Sequence, residues 1–574
     1  MKRSKVISLA SLALAGLVLT SCAGLNKMKK EASDIKYQVT PEVLEAHADM
    51  VDVKVVVNIP GGYFNKKAVL VATPVLKFEG GEKAFPSKTL QGEKVQGNNT
   101  VVPFETGKTI TYTGKVPYEQ AMRISDLEVR MTASKGEQSV EFDPYKIADG
   151  VVATATLVQN NPMNIVGKDA FQRIIPETQE ADLHYLINSS QVRWSEMKAE
   201  DVKALKAYLD VVKADEKKEY KGVEVSAYAS PDGKQDWNEK LAGKREVSSS
   251  KYIKKEMKKA KMAEYAADDF FKSKVTPEDW EGFQKLMKAS NIQDKELILR
   301  VLSMYSDPEV REKEIRNISA AFDDVKKEVL PKLRRAKFTV NVDLIGKTDA
   351  ELKDLGLNNP SELNVEELLY SATLVESAND KLKIYESAKK QFSKDWRGYN
   401  DAGMVLFGMG KVADAKSNFE KADKISANNP VVKNNLGAVE LVNGNVAEAE
   451  VLFGAATGAG KEVNYNQGIV AIMKADYDTA VKHFGDCPSV NAALANILAG
   501  KNNVALEKLN ANTSDAAMVY YLKAVVGART DNNNLVFTNL ETAVAKDASL
   551  KSVAKSDMEF AKVFEDAKFK AIVE

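Results

Sequence analysis

A chain of 574 residues exceeds what one hydrophobic core organises, so three or four domains are expected. Hydrophobic content of 44% and charged content of 28% are those of ordinary globular protein, and 81 basic residues balance 81 acidic ones, which removes any electrostatic case for nucleic acid. Two cysteines, Cys22 and Cys487, make no disulfide framework, and three dispersed histidines (His47, His184, His483) call for neither a metal nor a cofactor.

The N-terminus carries Lys2, Arg3 and Lys5, then an apolar run from Val6 to Leu19, then Thr20-Ser21-Cys22. This is the pattern of a secretory signal peptide over 1–21, with an apolar run too short to span a bilayer comfortably. Its removal takes three basic residues and leaves 78 basic against 81 acidic. Leu19-Thr20-Ser21-Cys22 also resembles a bacterial lipobox, which implies acylation of Cys22 (palmitate among the chains). Each buried methylene of an acyl chain contributes about 0.8 kcal/mol to anchoring. An ordinary cleaved signal with a cysteine nearby is the other reading. Ala23 follows, not the aspartate that holds many Gram-negative lipoproteins in the inner membrane, and Gly24 to Lys30 lack an acidic surface-export cluster. The resemblance therefore implies the outer membrane, on its periplasmic face, with 22–48 as a lipidated tether whose first residues, Ala23 to about Ala32, are basic and polar.

Strand signals follow over 49–168. Val51 to Val57 and Thr109 to Thr113 alternate, and Pro60-Gly61-Gly62, Gly80-Gly81, Gly97-Asn98-Asn99 and Asp149-Gly150 break the runs. Short strands at hairpin spacing predict an antiparallel β-sandwich with no clustered site.

Residues 169–346 carry an α/β pattern. Ala181 to Leu186 and Val223 to Ala229 predict strands, Glu200 to Val212 a helix, and Phe338 to Leu344 a closing strand. Between them, 256–333 is a charged helical stretch expected as an insertion. The segment Val225 to Tyr252, with Asn238, Leu241 and Arg245 after a strand and a polar turn, resembles the core motif of OmpA-like domains. That resemblance implies binding of peptidoglycan stem peptides, a carboxylate going to Arg245, where guanidinium geometry suits it. Ser230 stands where the family has an aspartate, so Asp232 would have to supply the anion for an amine. The alternative is that Asn238 and Arg245 are scaffold residues tying helix to turn.

The last region, 347–574, repeats. Ala402-Gly403, Ala415, Phe419 and Ala422 recur 34 residues later as Leu436-Gly437, Ala449, Phe453 and Ala456. Gln467-Gly468, Ala480 and Phe484 follow after 31. An upstream copy is Leu368-Leu369, Tyr385 and Ala388, and weaker ones occur at Ala505/Leu509 and Val536/Leu540/Ala543. Small residues at helix crossings with an aromatic between them, at this period, resemble the tetratricopeptide repeat and predict an all-α solenoid. Its concave surface suits an extended peptide or a partner helix. Asn400, Asn434, Asn435, Tyr465 and Asn466 fall near that surface, either as hydrogen-bonding groups for a ligand main chain or as hydrophilic helix starts. Cys487 is expected at a small helix-packing position of the third copy.

The chain lacks GxxxxGK[ST], HExxH and GxSxG motifs, so an enzyme is not expected. The arrangement resembles envelope lipoproteins of Gram-negative gut and oral anaerobes. It implies a non-enzymatic scaffold binding other envelope proteins through its repeats, or alternatively a tether of the outer membrane to peptidoglycan.

Overall fold

The computed structural model describes residues 24–574; the signal peptide and Cys22 lie outside the described residues. The chain forms two compact units. One combines the described residues up to Lys168 with Tyr385–Glu574, and the other is Asp169–Ile384. The first unit is therefore discontinuous in sequence.

Its β-rich part starts earlier than the alternation suggests. A helix over 24–30 (α1) buries Leu25 and Met28 in the β core, and Tyr63 Oη donates to the Met28 carbonyl at 2.9 Å. The first strand, β1, is Lys36–His47. From residue 24 onward the stretch expected as a tether is thus folded, because two apolar residues one helical turn apart outweigh the basic surroundings. The remaining strands are β2 (Met50–Ile59), β3 (Val69–Phe78), β4 (Gly81–Ala84), β5 (Lys88–Gly92), β6 (Thr100–Val102), β7 (Lys108–Pro117), β8 (Ser125–Lys135), β9 (Gln138–Glu141) and β10 (Tyr145–Val152).

They make one sheet in the order β6-β5-β3-β8-β10-β1-β2-β7, with β4 and β9 pairing β3 and β8. The sheet is mixed: β1 runs parallel to β10 and β5 to β6, which departs from the all-antiparallel sandwich expected. Alternation still sets the core. Val51, Val53 and Val55 of β2 and Leu127, Val129, Met131 and Ala133 of β8 are buried on one face. Strands from opposite halves face each other across this core: Tyr37 Oη of β1 lies 3.7 Å from Met131 Sδ of β8, around a small apolar cavity of about 50 Å³.

The helical part of the same unit is a series of antiparallel helix pairs. These are α12 (Trp396–Gly408) with α13 (Val412–Ile425), α14 (Pro430–Val442) with α15 (Val446–Ala455), and α16 (Lys461–Met473) with α17 (Tyr477–Phe484). After them come α18 (Val490–Leu498) with α19 (Asn502–Ala511) and α20 (Ala517–Arg529) with α21 (Asn533–Lys546). Short helices α22 (Leu550–Lys555) and α23 (Ala567–Val573) close the end. Asn429 caps α14 by accepting from Val431 N–H at 3.0 Å, with Pro430 at the first helical position, as the Asn-Asn-Pro punctuation predicts.

The sequence period has a direct packing cause. A Cβ on Gly403 would sit 2.7 Å from the Phe419 ring, one on Gly437 2.7 Å from Phe453, and one on Gly468 2.6 Å from Phe484. Each aromatic of the second helix lies on the bare backbone of the first. Each pair then turns through a left-handed residue: Gly410, Gly444 and, in the third pair, Ala475 at φ 60°. Cys487 lies just beyond the end of α17, as Ala456 does beyond α15, and packs partly buried against the array core, in keeping with the small packing position expected.

The second unit is α/β, as expected. Its sheet has the order β11-β14-β12-β13, from β11 (Ile174–His184), β12 (Lys218–Tyr228), β13 (Phe271–Thr276) and β14 (Arg335–Ile345). The closing strand β14 is central, with Ala336, Phe338, Val340 and Val342 buried on one face. Helices α2 (Glu200–Ala214) and α3 (Gln235–Lys259) surround it with buried Leu205, Leu209, Tyr252 and Ile253.

The expected helical insertion begins later than 256. α3 runs to Lys259, and β13 is a strand parallel to β12. Helices α4 (Trp280–Ala289), α5 (Lys295–Met304), α6 (Pro308–Asn317), α7 (Ser319–Glu328) and α8 (Leu330–Leu333) form the insertion proper, with their own core around Phe283, Met287, Ile298 and Leu333. After β14 come α9 (Asp349–Asn358) and α10 (Val365–Thr373), and α11 (Ala378–Gln391) spans the boundary with the first unit.

Candidate functional site

The polar residues singled out on the first helices of the repeats are all buried and all hydrogen-bonded to one object. That object is the chain's own segment 158–168, which has no regular secondary structure and runs through the array. Asn491 Oδ1 accepts from Gln159 N–H and its Nδ2 donates to the Gln159 carbonyl, both at 2.8 Å. Asn466 does the same to Met163 at 2.7 and 2.8 Å, and Asn435 to Ile165 at 2.7 and 2.8 Å. Asp401 accepts from Gly167 N–H at 2.7 Å. Each carboxamide thus offers one acceptor and one donor to a single residue, as a neighbouring strand would.

The ladder has a sequence rule. Asp401, Asn435 and Asn466 each stand two positions before the packing glycine of their repeat. Successive repeats therefore contact Gly167, Ile165 and Met163, two residues apart, the spacing at which an extended chain turns the same edge outward.

The residues three before the glycine form a second row. Asn400 Nδ2 donates to the Ile165 carbonyl at 3.0 Å, Asn434 Nδ2 to that of Met163 at 2.9 Å, and Tyr465 Oη to Asn161 Oδ1 at 2.9 Å. The rows join: Asn435 Nδ2 donates to Asn400 Oδ1 and Asn466 Nδ2 to Asn434 Oδ1, each at 2.9 Å. Such a network is favourable only when its members are satisfied, because an unpaired buried amide costs about 1–3 kcal/mol.

Side chains of the segment contribute at fewer points. Ile165 is buried in the array core, and a Cβ on Gly167 would lie 2.9 Å from Arg397 Cγ and 3.2 Å from Asp401 Oδ1. Met163 points outward. Burial pushes the Asp401 carboxyl up to about 7, against bonds from Asn400 and Gly167 that pull it down. Burial likewise raises the Tyr465 phenol above its ordinary value. Asp401 and Asn491 belong to the ladder but are not among the residues that the sequence reading selected. For Asp401 the signal was present, in its equivalence to Asn435 one repeat on.

The second set of residues lies in the α/β unit. Arg245 is 1% exposed, and its Nε, Nη1 and Nη2 donate to the carbonyls of Ser189 (3.0 Å), Tyr228 (2.8 Å) and Leu186 (3.2 Å). Burial, partly offset by the neighbouring Tyr185, pulls its guanidinium down to about 10. Asn238 Nδ2 donates to the Ser230 and Gly233 carbonyls at 3.2 and 3.0 Å. Asp232 pairs with Arg334 at 3.0 Å and accepts from Ser230 Oγ. Arg245 is engaged with the end of β12 and the loop after β11, Asn238 with the turn after β12, and Asp232 with Arg334.

The array is a series of helical hairpins whose period, glycine–aromatic crossings and row of buried polar residues resemble those of tetratricopeptide repeats. No protein-family model and no curated protein matches the chain. Among solved structures it is similar to YrrB, described as a TPR protein with an unusual peptide-binding site, at 18% identity over 29% of this chain and 92% of that one, TM-score 0.24. It is similar also to a tetratricopeptide repeat protein from Parabacteroides merdae (16% identity, 43% and 98% covered, TM-score 0.29) and to PilW, a type IV pilus biogenesis factor (14%, 39% and 99%, TM-score 0.27).

Proposed function

We propose that this chain is a non-enzymatic outer-membrane lipoprotein, anchored through acylated Cys22 on the periplasmic face, that scaffolds protein assemblies in the cell envelope. The observation that carries the interaction role is the asparagine ladder, which binds an extended polypeptide by its main chain. The anchor rests on the lipobox-like Leu19-Thr20-Ser21-Cys22. With the folded chain described from residue 24, two beyond that cysteine, the β-rich part would sit close to the leaflet.

In-cell crosslinking with mass spectrometry tests the role. Protein partners crosslinked through residues 360–547 are expected, and a map without any would contradict it. Peptidoglycan tethering through Arg245, Asn238 and Asp232 is the weaker reading. It requires the guanidinium to exchange main-chain carbonyls for a ligand carboxylate, and it predicts co-sedimentation with purified sacculi.

A further inference from the structure

We infer that segment 158–168 is the resident ligand of the repeat groove, and that the groove takes an external extended polypeptide, with an aliphatic residue two positions before a glycine, only when this segment is displaced. The inference rests on the reading of the array as a polypeptide-binding module.

The groove is built to hold a backbone. Asn435 and Asn466 each grip both polar groups of one residue, and Asp401 takes a third N–H four residues along from the first, so any extended chain without proline at those points presents the same edge. Side chains add selection at a few places, among them Asn161, whose Oδ1 accepts from Tyr465 Oη. Ile165 enters the apolar core, and position 167 passes so close to Arg397 and Asp401 that a side chain has no room. Met163, which Asn466 holds by its main chain, is 41% exposed and leaves its position open to other side chains.

The segment is supplied in cis, which closes the groove. It is tied on its N-terminal side to the β-rich part, where Thr154 Oγ1 bonds Glu559 and His47 Nδ1 lies 2.6 Å from Tyr477 Oη. A short tether of this kind corresponds to an effective concentration on the order of millimolar, so a free segment of equal intrinsic affinity competes poorly. The ladder groups belong to the helices and stay with them when the segment is displaced.

The experiment uses the full chain and a fluorescein-labelled peptide of residues 157–169, followed by fluorescence anisotropy. Little or no binding is expected to the wild type. Saturable binding is expected to Met163→Pro/Ile165→Pro, which removes two of the N–H donors that hold the segment, and that binding is lost when Asn435→Ala and Asn466→Ala are added. A milder variant, Gly167→Ala, loosens the segment with every array residue unchanged and should also admit the peptide. A peptide carrying alanine at the glycine position should bind about tenfold more weakly, equivalent to ~1.4 kcal/mol.

Equal binding to the wild type overturns the inference, as does failure of folded Gly167→Ala and folded double-proline protein to bind. An absence of crosslinked partners in cells would count against the scaffold role and leave these binding results unaffected.

Discussion

The repeat groove and the Arg245 turn are two places where residue types suited to ligand binding are buried against the chain's own carbonyls and amides. In the groove, the asparagines on α14 and α16 hold a segment with no regular structure that comes from hundreds of residues away, Met163 with Asn466 for example. At the turn, Arg245 holds carbonyls at Leu186, Ser189 and Tyr228, main chain that its own sheet and loops already fix in place. The difference is one of exchange. An extended segment can be swapped for another with the same backbone edge, whereas a turn held by a guanidinium has no interchangeable counterpart.

Substitutions can break or sharpen this contrast. The largest effect is expected at Arg245→Ala, where three carbonyls lose donors worth about 1–3 kcal/mol each, for a total of about 3 kcal/mol or more. Chemical denaturation of the full chain should show it as loss of the α/β transition, with Arg245→Lys rescuing little because a single ammonium does not span three acceptors. Asn435→Ala comes next, at about 2 kcal/mol in the array transition, because it leaves the N–H of buried Ile165 without its acceptor and removes one of the two donors to its carbonyl.

Gly437→Ala should cost about 1–3 kcal/mol by forcing the Phe453 ring from its seat, and Phe453→Leu should recover part of that loss.

Asp401→Asn tests the ladder electrostatically. The folded carboxyl titrates near 7 against an ordinary 3.8, so the folded state holds more protons between these values and the wild type loses stability as pH rises through that window. The asparagine variant should flatten this loss, by an amount on the order of 1 kcal/mol, and match or exceed the wild type at pH 8. Unfolding at pH 4, 6 and 8 measures it, and an unchanged slope would show that the carboxyl titrates normally. The smallest effect is Ala475→Gly, expected to stabilise by about 0.5–1 kcal/mol by relieving a left-handed alanine in the third repeat.

Much of the array was legible because its rule is local: Gly437 needs to be small where Phe453 lies, and the two are in one hairpin. The polar row was legible for a similar reason, since Asn434 and Asn435 recur in step with the glycine. What they bind was not. Nothing in Asn160-Asn161-Pro162-Met163 marks it as a ligand, because main-chain recognition places few demands on side chains. The start of the β-rich part was hidden by α1, where only Leu25 and Met28 face the core. β13 was lost in a lysine-rich stretch because it is an edge strand, whose exposed Lys272 and Lys274 look like a solvated helix face. Arg245 was visible as a special residue, but whether it faced a ligand or carbonyls depended on main chain at 186–189 that no local motif announces.

The central claim is that segment 158–168 occupies the groove in the folded protein. Hydrogen–deuterium exchange on the full chain tests it at the amides of Met163, Ile165 and Gly167, which have no secondary structure to protect them. Protection comparable to the amides of α14 and α16, lost in Asn435→Ala/Asn466→Ala while α21 stays protected, is the predicted result. Exchange of those three amides at the rate of an unstructured chain in the wild type would contradict it.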